Sequence, residues 1–409
     1  MTCTRHLTFI KLCLGILVAA GALSGCRSAG APEGAPPRRT AARRVAPRPM
    51  IRPVRGIWVA RFHYRYPDDV RAIMANCAAA GCNTVYWQVR GEGTVCYPSR
   101  IEPWGREFDY KYPGFDPLAL AVEEAHKHGL RIEAWFNVMP GWKGTAPPPI
   151  GSQVFNAHPE WFMHDANGQR QPLSREYVIL NPCLPEVRRH ITKVVDEIIS
   201  RYDVDGIHLD YVRYAWDSTP NAKRAYPRDA RTLGLYRHDT GRDPDDDLTA
   251  WDSWRANQLT RLVDDIRRTV NKRRPGATLT AAVWREPRIG YNDYLQNSVA
   301  WLRAGLVDAL MPMVYTERFG QFEADIDSYK RLVGRHPIVP GLGLYMHTSD
   351  EVMAEQLRQC QSWGGDFALF SYESLFPTAG DRGANAATRD TAQSLRHMRR
   401  RVLEAYTGR

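Results

Sequence analysis

This chain of 409 residues lacks several of the signatures that announce a chemistry. It has no Gly-x-Ser-x-Gly elbow, so a hydrolase serine is not indicated. Neither His-x-His nor His-Glu-x-x-His spacing links its strand-end histidines His63, His208 and His347, so they read as satisfied polar residues and no metal is expected. Nothing calls for a cofactor. Cysteine is sparse. Beyond Cys3, Cys13 and Cys26 only Cys77, Cys82, Cys96, Cys183 and Cys360 remain, an odd number without zinc-site spacing. At least one of them reads as a buried small hydrophobe, and a Cys96–Cys183 bridge stays open in an oxidising compartment. Charge of one sign is scarce outside the N-terminus. Residues 1–54 hold nine Lys or Arg against Glu33 alone, so they account for eight of the ten net positive charges. The remainder has no basic excess of the kind nucleic-acid binding requires.

The N-terminus is a different matter. Arg5 and Lys11 precede the apolar run "LCLGILVAAGALSG", which ends in small residues and Cys26. A charged start, a short apolar core and small terminal residues describe a secretory leader over 1–26. The core is too short and too small in side chain for a membrane span. Leu23-Ser24-Gly25-Cys26 resembles a bacterial lipobox, which implies lipidation of Cys26 and a membrane partner through acyl chains. Residues 27–53 are rich in Ala, Pro, Gly and Arg and bury too little apolar surface to order themselves. They read as a semi-extended tether, either a plain linker or one that lies on anionic lipid or envelope polymer.

After residue 54 a pattern repeats eight times. The apolar runs are "RGIWVARF" (55–62), "CNTVYWQVR" (82–90), "LRIEAWFNV" (130–138), "VDGIHLDYVRY" (204–214), "TLTAAVW" (278–284), "VDALMPMVY" (307–315), "PIVPGLGLY" (337–345) and "DFALFSYES" (366–374). Helical segments separate them at 68–80, 116–128, 185–201, 251–274, 292–304, 319–333 and 349–363, and one more follows at 389–406. Asp116-Pro117 is a good N-cap and first-turn pair. Eight alternations argue for a parallel α/β fold. Continuously apolar strands, with no Gly-x-Gly-x-x-Gly turn after the first, favour a closed (β/α)8 TIM barrel over a doubly wound sheet. The barrel is expected over 54–380, with a C-terminal helix from 381 to 409 packed on it. Long loops follow strand 3 (139–184) and strand 4 (215–250), on the face where barrel active sites sit.

The strand ends collect aromatics and carboxylates. In strand order they are Arg61 and His63; Gln88, Arg90 and Glu92; Glu133, Trp135 and Asn137; His208, Asp210, Tyr211 and Arg213; Trp284, Arg285 and Glu286; Met313, Tyr315 and Glu317; Tyr345 and His347; Tyr372 and Glu373. Trp and Tyr faces stack on sugar rings. Paired carboxyls are what glycoside hydrolysis needs, one as acid and one as base or nucleophile. Asp210, near Arg213, suits a permanently charged nucleophile or base. Its partner is open between Glu286 and Glu317, with Glu373 and Glu92 behind them. Glu133 reads as facing the barrel interior in an ion pair. The expected substrate contacts are Gln88, Arg90, Trp135, Asn137, His208, Tyr211, Arg213, Trp284, Tyr315, Tyr345 and Tyr372. By two-residue alternation Ile207 and Leu209 face the helices, and His208 and Asp210 face the axis.

Taken in order, "RGIWVARF", "NTVYWQVRGEGTVCYPSRIEPW" (83–104), "FDPLALAVEEAHKHGLRIEAWFN" (115–137), "DGIHLDYVRY" (205–214) and "MPMVY" (311–315) resemble the glycosyl-hydrolase-like 10 domain of bacterial envelope lipoproteins. The resemblance runs over residues 55–376. It implies a (β/α)8 barrel, glycoside hydrolysis and a polysaccharide substrate of the cell-wall glycan type, including strands stripped of peptides. It carries over most strongly at Gln88, Arg90, Trp135, Asn137, Asp210, Tyr211 and Arg213. The chain departs from the family at Glu133, where a histidine is usual, and at Ala215, where a proline is usual. The first departure bears on pH behaviour or substrate.

Overall fold

The computed structural model describes residues 49–215, 222–381 and 386–408. The chain divides into two compact units, residues 1–42 and 43–409, and every described residue belongs to the second. The leader, Cys26 and tether residues 27–48 lie outside the described residues. No described helix is long and apolar enough to cross a membrane.

The described strands are β1 (Arg55–Val59), β2 (Thr84–Arg90), β3 (Arg131–Asn137), β4 (Pro140–Gly144), β5 (Ser174–Ile179), β6 (Gly206–Asp210), β7 (Thr278–Val283), β8 (Ala309–Val314), β9 (Gly341–Gly343) and β10 (Phe367–Phe370). Eight close into a parallel barrel in the order β1-β2-β3-β6-β7-β8-β9-β10, with β10 back on β1. This is the TIM barrel that the alternation predicts. The long loop after β3 is not free of regular structure, since β4 and β5 pair in it as an antiparallel hairpin.

Alternation divides the strands into two cores. Outward residues such as Val85, Ile132, Ile207, Leu209, Leu279 and Leu369 join one large cluster with the helices. The helix Pro185–Arg201 shows why: its buried residues Val187, Ile191, Val194, Val195, Ile198 and Ile199 fall on one helical stripe. Full burial of each such side chain stabilises by about 1.5–3 kcal/mol. Inward residues Trp58, Tyr86, Trp135, Ala309, Met311 and Ala368 fill the barrel. Met50 packs against that inner cluster, and Val54 N donates to Asp366 Oδ1 at 2.7 Å. The folded chain therefore begins before residue 54, inside the segment read as tether.

The barrel floor is polar and closed. Thr278 and Thr280 donate to the two oxygens of Glu133 at 2.7 and 2.6 Å, with Arg131 3.3 Å away. Gly206 lies opposite Glu133, and a Cβ there would collide with Thr278. His208 Nε2 accepts from Trp58 Nε1 at 2.9 Å, and its Nδ1 lies 2.8 Å from Thr280 Oγ1. Burial lowers the His208 pKa to about 3, so the ring is neutral and carries its proton on Nδ1. Being fully enclosed, His208 braces the floor and does not contact substrate, contrary to expectation.

Two further expectations change. Residues 292–304 are not one helix: Pro287–Tyr294 and Ser298–Arg303 are separated by Leu295, whose φ is 55°. All five described cysteines are buried thiols, and the Cys96–Cys183 bridge does not form. Cys183 lies 3.4 Å from Tyr214 Oη instead.

Candidate active site

Asp210 is the last residue of β6, and its side chain points into the mouth of the barrel. Trp135 Nε1 donates to Oδ2 at 3.2 Å, and Tyr211 N donates to Oδ1 at 2.6 Å. Tyr211 takes a φ of 52°, unusual for a bulky residue, so the chain turns sharply just after the carboxylate. Val138 N donates to the Asp210 carbonyl at 2.8 Å, and Asn137 is its register partner on β3. The Oδ1 of Asn137 is buried and accepts no hydrogen bond from the described residues. Burial pushes the Asp210 pKa above the ordinary carboxyl range. Arg213, the Tyr211 N–H and the Trp135 indole pull it back without cancelling the shift. Arg213 therefore does not hold the Asp210 pKa down as expected: desolvation outweighs its one cationic neighbour.

Arg213 is 5% exposed and stands among three rings. Its guanidinium carbon is 4.2 Å from the Tyr211 centroid, 5.3 Å from Trp284 and 5.2 Å from Tyr294. Tyr315 and Tyr345, 5.9 Å apart, and Phe370, 5.1 Å from Tyr315, form the next aromatic group. Burial raises the Tyr315 phenol pKa, and the nearby Asp210 charge raises it further.

On the other side of Asp210 stands Tyr177 of β5, 5.0 Å ring to ring from Tyr211. Burial raises its phenol, Arg61 lowers it, and the carboxyls of Glu92 and Asp210 both push it up. Tyr177 thus sits within electrostatic reach of both acids. Glu92 accepts from Arg61 at 2.9 Å and also pairs with Arg106. Its pKa is nonetheless raised, because burial outweighs both cations. Gln88 accepts from the Arg61 backbone and guanidinium at 3.1 and 3.3 Å, and so positions that side chain. Sequence reasoning missed Tyr177 altogether: it lies in the unassigned loop after strand 3, and only the hairpin brings it to the mouth.

Other expected site residues lie elsewhere. Arg90 is fully enclosed. It donates to both oxygens of Glu102 at 2.7 Å and to the carbonyls of Val138 and Pro140, so it clamps loops and cannot meet substrate. Tyr372 is buried on the helix side, its hydroxyl bonded by Asn76 at 2.8 Å. Glu286 caps the helix Pro287–Tyr294, accepting from Arg288 N and Ile289 N at 3.2 and 2.9 Å. Glu317 is exposed and accepts from Thr348 at 3.2 Å. Glu373 lies 3.6 Å from His63. None of these three acids perturbs Asp210.

The closed eight-stranded barrel has counterparts among solved structures. The PgaB (BpsB) glycoside hydrolase domain from Bordetella bronchiseptica superposes with a TM-score of 0.60 at 14% identity, over 85% of this chain and 99% of that one. Alpha-L-fucosidase isoenzyme 2 from Paenibacillus thiaminolyticus gives 0.59 at 14%, over 87% and 49%. At that identity the likeness concerns the fold alone: this is a TIM barrel. In sequence, glycosyl hydrolase DigH of Escherichia coli (strain K12) is 29% identical over 262 residues, 58% of this chain and 55% of that protein. Glycosyl hydrolase YngK of Bacillus subtilis (strain 168) is 27% identical over 268 residues, 61% and 47%. The chain spans about half the length of these curated relatives. The Glycosyl hydrolase-like 10 model matches residues 53–363, and the chain belongs to that family.

Proposed function

We propose that this protein is a glycoside hydrolase, anchored by lipid at Cys26, that cleaves an envelope polysaccharide of the peptidoglycan glycan type. The observation that carries the reading is Asp210: a buried carboxyl at the barrel mouth, its pKa raised by desolvation, ringed by sugar-stacking aromatics. A raised pKa suits the proton donor. Asp210 then protonates the glycosidic oxygen as the bond to the anomeric carbon breaks. The second carboxyl takes the proton of the attacking water or attacks the anomeric carbon itself. Glu92 is the candidate for that part, since it and Asp210 both act electrostatically on Tyr177. Tyr211, Trp284, Tyr315 and Tyr345 supply the sugar platforms. The leader, the Leu-Ser-Gly-Cys26 motif and the family support the envelope setting.

One observation favours a second reading, a glycan-binding barrel without catalysis. Glu92 is held by Arg61 and Arg106, and Glu286 is spent as a cap. Release of new reducing ends from purified peptide-free glycan strands separates the two. The hydrolase reading requires cleavage by the wild type and a loss of about a thousandfold in Asp210→Asn with the fold intact. An Asp210→Asn variant that cleaves at the wild-type rate overturns the role of Asp210. Strand binding without cleavage by the wild type selects the second reading.

A further inference from the structure

Arg213 is a buried cation without a finished set of bonds. Among the described residues its buried Nε and Nη1 have no hydrogen-bond partner, and the same holds for Trp284 Nε1 beside it. Three donor nitrogens therefore lie near Asp210 with no acceptor on them among the described residues. Buried donors of this kind are rare in folded proteins, and a buried charged one more so, because desolvation is not compensated. The ring faces of Tyr211, Trp284 and Tyr294 supply only cation–π attraction, which leaves the in-plane N–H groups of the guanidinium unused.

The position is rigid. Tyr214 N donates to the Tyr294 carbonyl at 3.1 Å, and Gln296 Nε2 donates to the Val212 carbonyl at 3.3 Å. Gln296 Oε1 also accepts from Trp284 N at 2.7 Å, and the Trp284 carbonyl accepts from Tyr329 at 2.7 Å. The backbones flanking Arg213 and that of Trp284 are thus tied to one frame. A buried guanidinium short of acceptors matches an anion better than a neutral sugar hydroxyl, since its hydrogen bonds to a carboxylate are charge-assisted.

We infer that Arg213, with Trp284, forms a subsite for a carboxylate borne by the sugar, so that the enzyme selects acidic over neutral glycan. The inference rests on the glycan reading above and names the substrate feature that its site recognises. Recognition is by charge-assisted hydrogen bonds in a largely desolvated pocket. Loss of these bonds is therefore expected to cost acidic glycan about 10- to 100-fold in affinity and to leave neutral glycan nearly unaffected.

The test uses the full chain and two probes: soluble peptide-free glycan strands whose alternate sugars carry a carboxylate, and the same strands after chemical reduction of the carboxyls to alcohols. Dissociation constants come from tryptophan fluorescence titration with wild type, Arg213→Met and Arg213→Lys. The expected result is a wild-type preference of tenfold or more for the carboxylated strands, abolished in Arg213→Met and partly kept in Arg213→Lys. Equal wild-type affinity for both strands overturns the inference and leaves the glycan reading standing. So does an Arg213→Met variant that loses both strands to the same degree, which marks Arg213 as structural. If the wild type binds neither strand, the glycan reading fails and the inference with it. If Arg213→Met does not fold, the wild-type preference and the lysine variant decide the matter.

Discussion

Arg90 with Glu102 and Arg213 near Asp210 both set a buried arginine by a buried carboxyl, but only the first two are joined by hydrogen bonds. In the first, each Glu102 oxygen accepts from Arg90 at 2.7 Å, and His190 adds a contact at 2.9 Å. Burial alone would raise Glu102, but Arg90 and His190 overcome it and lower its pKa to about 2. In the second, Arg213 is spread over three rings with two donor nitrogens unused, and burial wins at Asp210, whose pKa rises. The first pair is complete and fastens the loops 91–104 and 138–140 to the barrel. The second is incomplete, and incompleteness at a mouth is what a ligand can relieve. Burial and charge do not mark function by themselves, nor do unmade bonds, since Arg131 of the closed floor keeps two unbonded nitrogens as well; unmade bonds at the mouth do.

The comparison can be broken at several points. Glu102→Gln should cost about 3–5 kcal/mol at neutral pH, since it leaves Arg90 buried and uncompensated. The folded pKa of Glu102 lies below the unfolded value of about 4.3, so its contribution is present above that value and fades as pH falls toward 2. Denaturant unfolding of wild type and variant should therefore show a gap at pH 7 that narrows in acid. Hydrolysis per folded molecule should not change. A stable, inactive Glu102→Gln would reverse the assignment of the two pairs.

Trp135→Phe should act on the other pair. It removes one hydrogen bond to Asp210 and leaves the ring, and it should lower kcat about tenfold, or about 1.4 kcal/mol, with little change in Tm. Loss of stability without loss of rate would make Trp135 a packing residue only. Glu286→Ala should do least: about 1 kcal/mol of cap energy and an unchanged kcat. A fall in kcat of a hundredfold or more would return Glu286 to the partner role.

Much of this is legible in the sequence. The alternation at residues 207–210 placed Asp210 toward the axis, and eight apolar runs predicted the eight barrel strands. What failed was non-local. Arg90 sits at a strand end as a substrate residue would, but its partner Glu102 is twelve residues on and gives no periodic signal. Tyr177 reaches the mouth only through a hairpin whose strand pattern is short and half exposed. One failure was avoidable. Glu286-Pro287 carries the same cap-and-proline signal as Asp116-Pro117, and an acid in that position is spoken for by backbone N–H groups. The pKa of Asp210 could not be read from Arg213 nearby in sequence, because depth of burial decides its sign.

The most direct measurement is the pH dependence of kcat/KM for hydrolysis of peptide-free glycan strands by wild type and Arg213→Met. With Asp210 as proton donor, the rate falls as pH rises through its pKa. Burial should set that basic limb above the ordinary aspartate value of about 3.9. Arg213→Met removes the cation that lowers it, and so should move the limb to higher pH. A wild-type limb at or below that value, or a limb that moves down in Arg213→Met, would contradict the account.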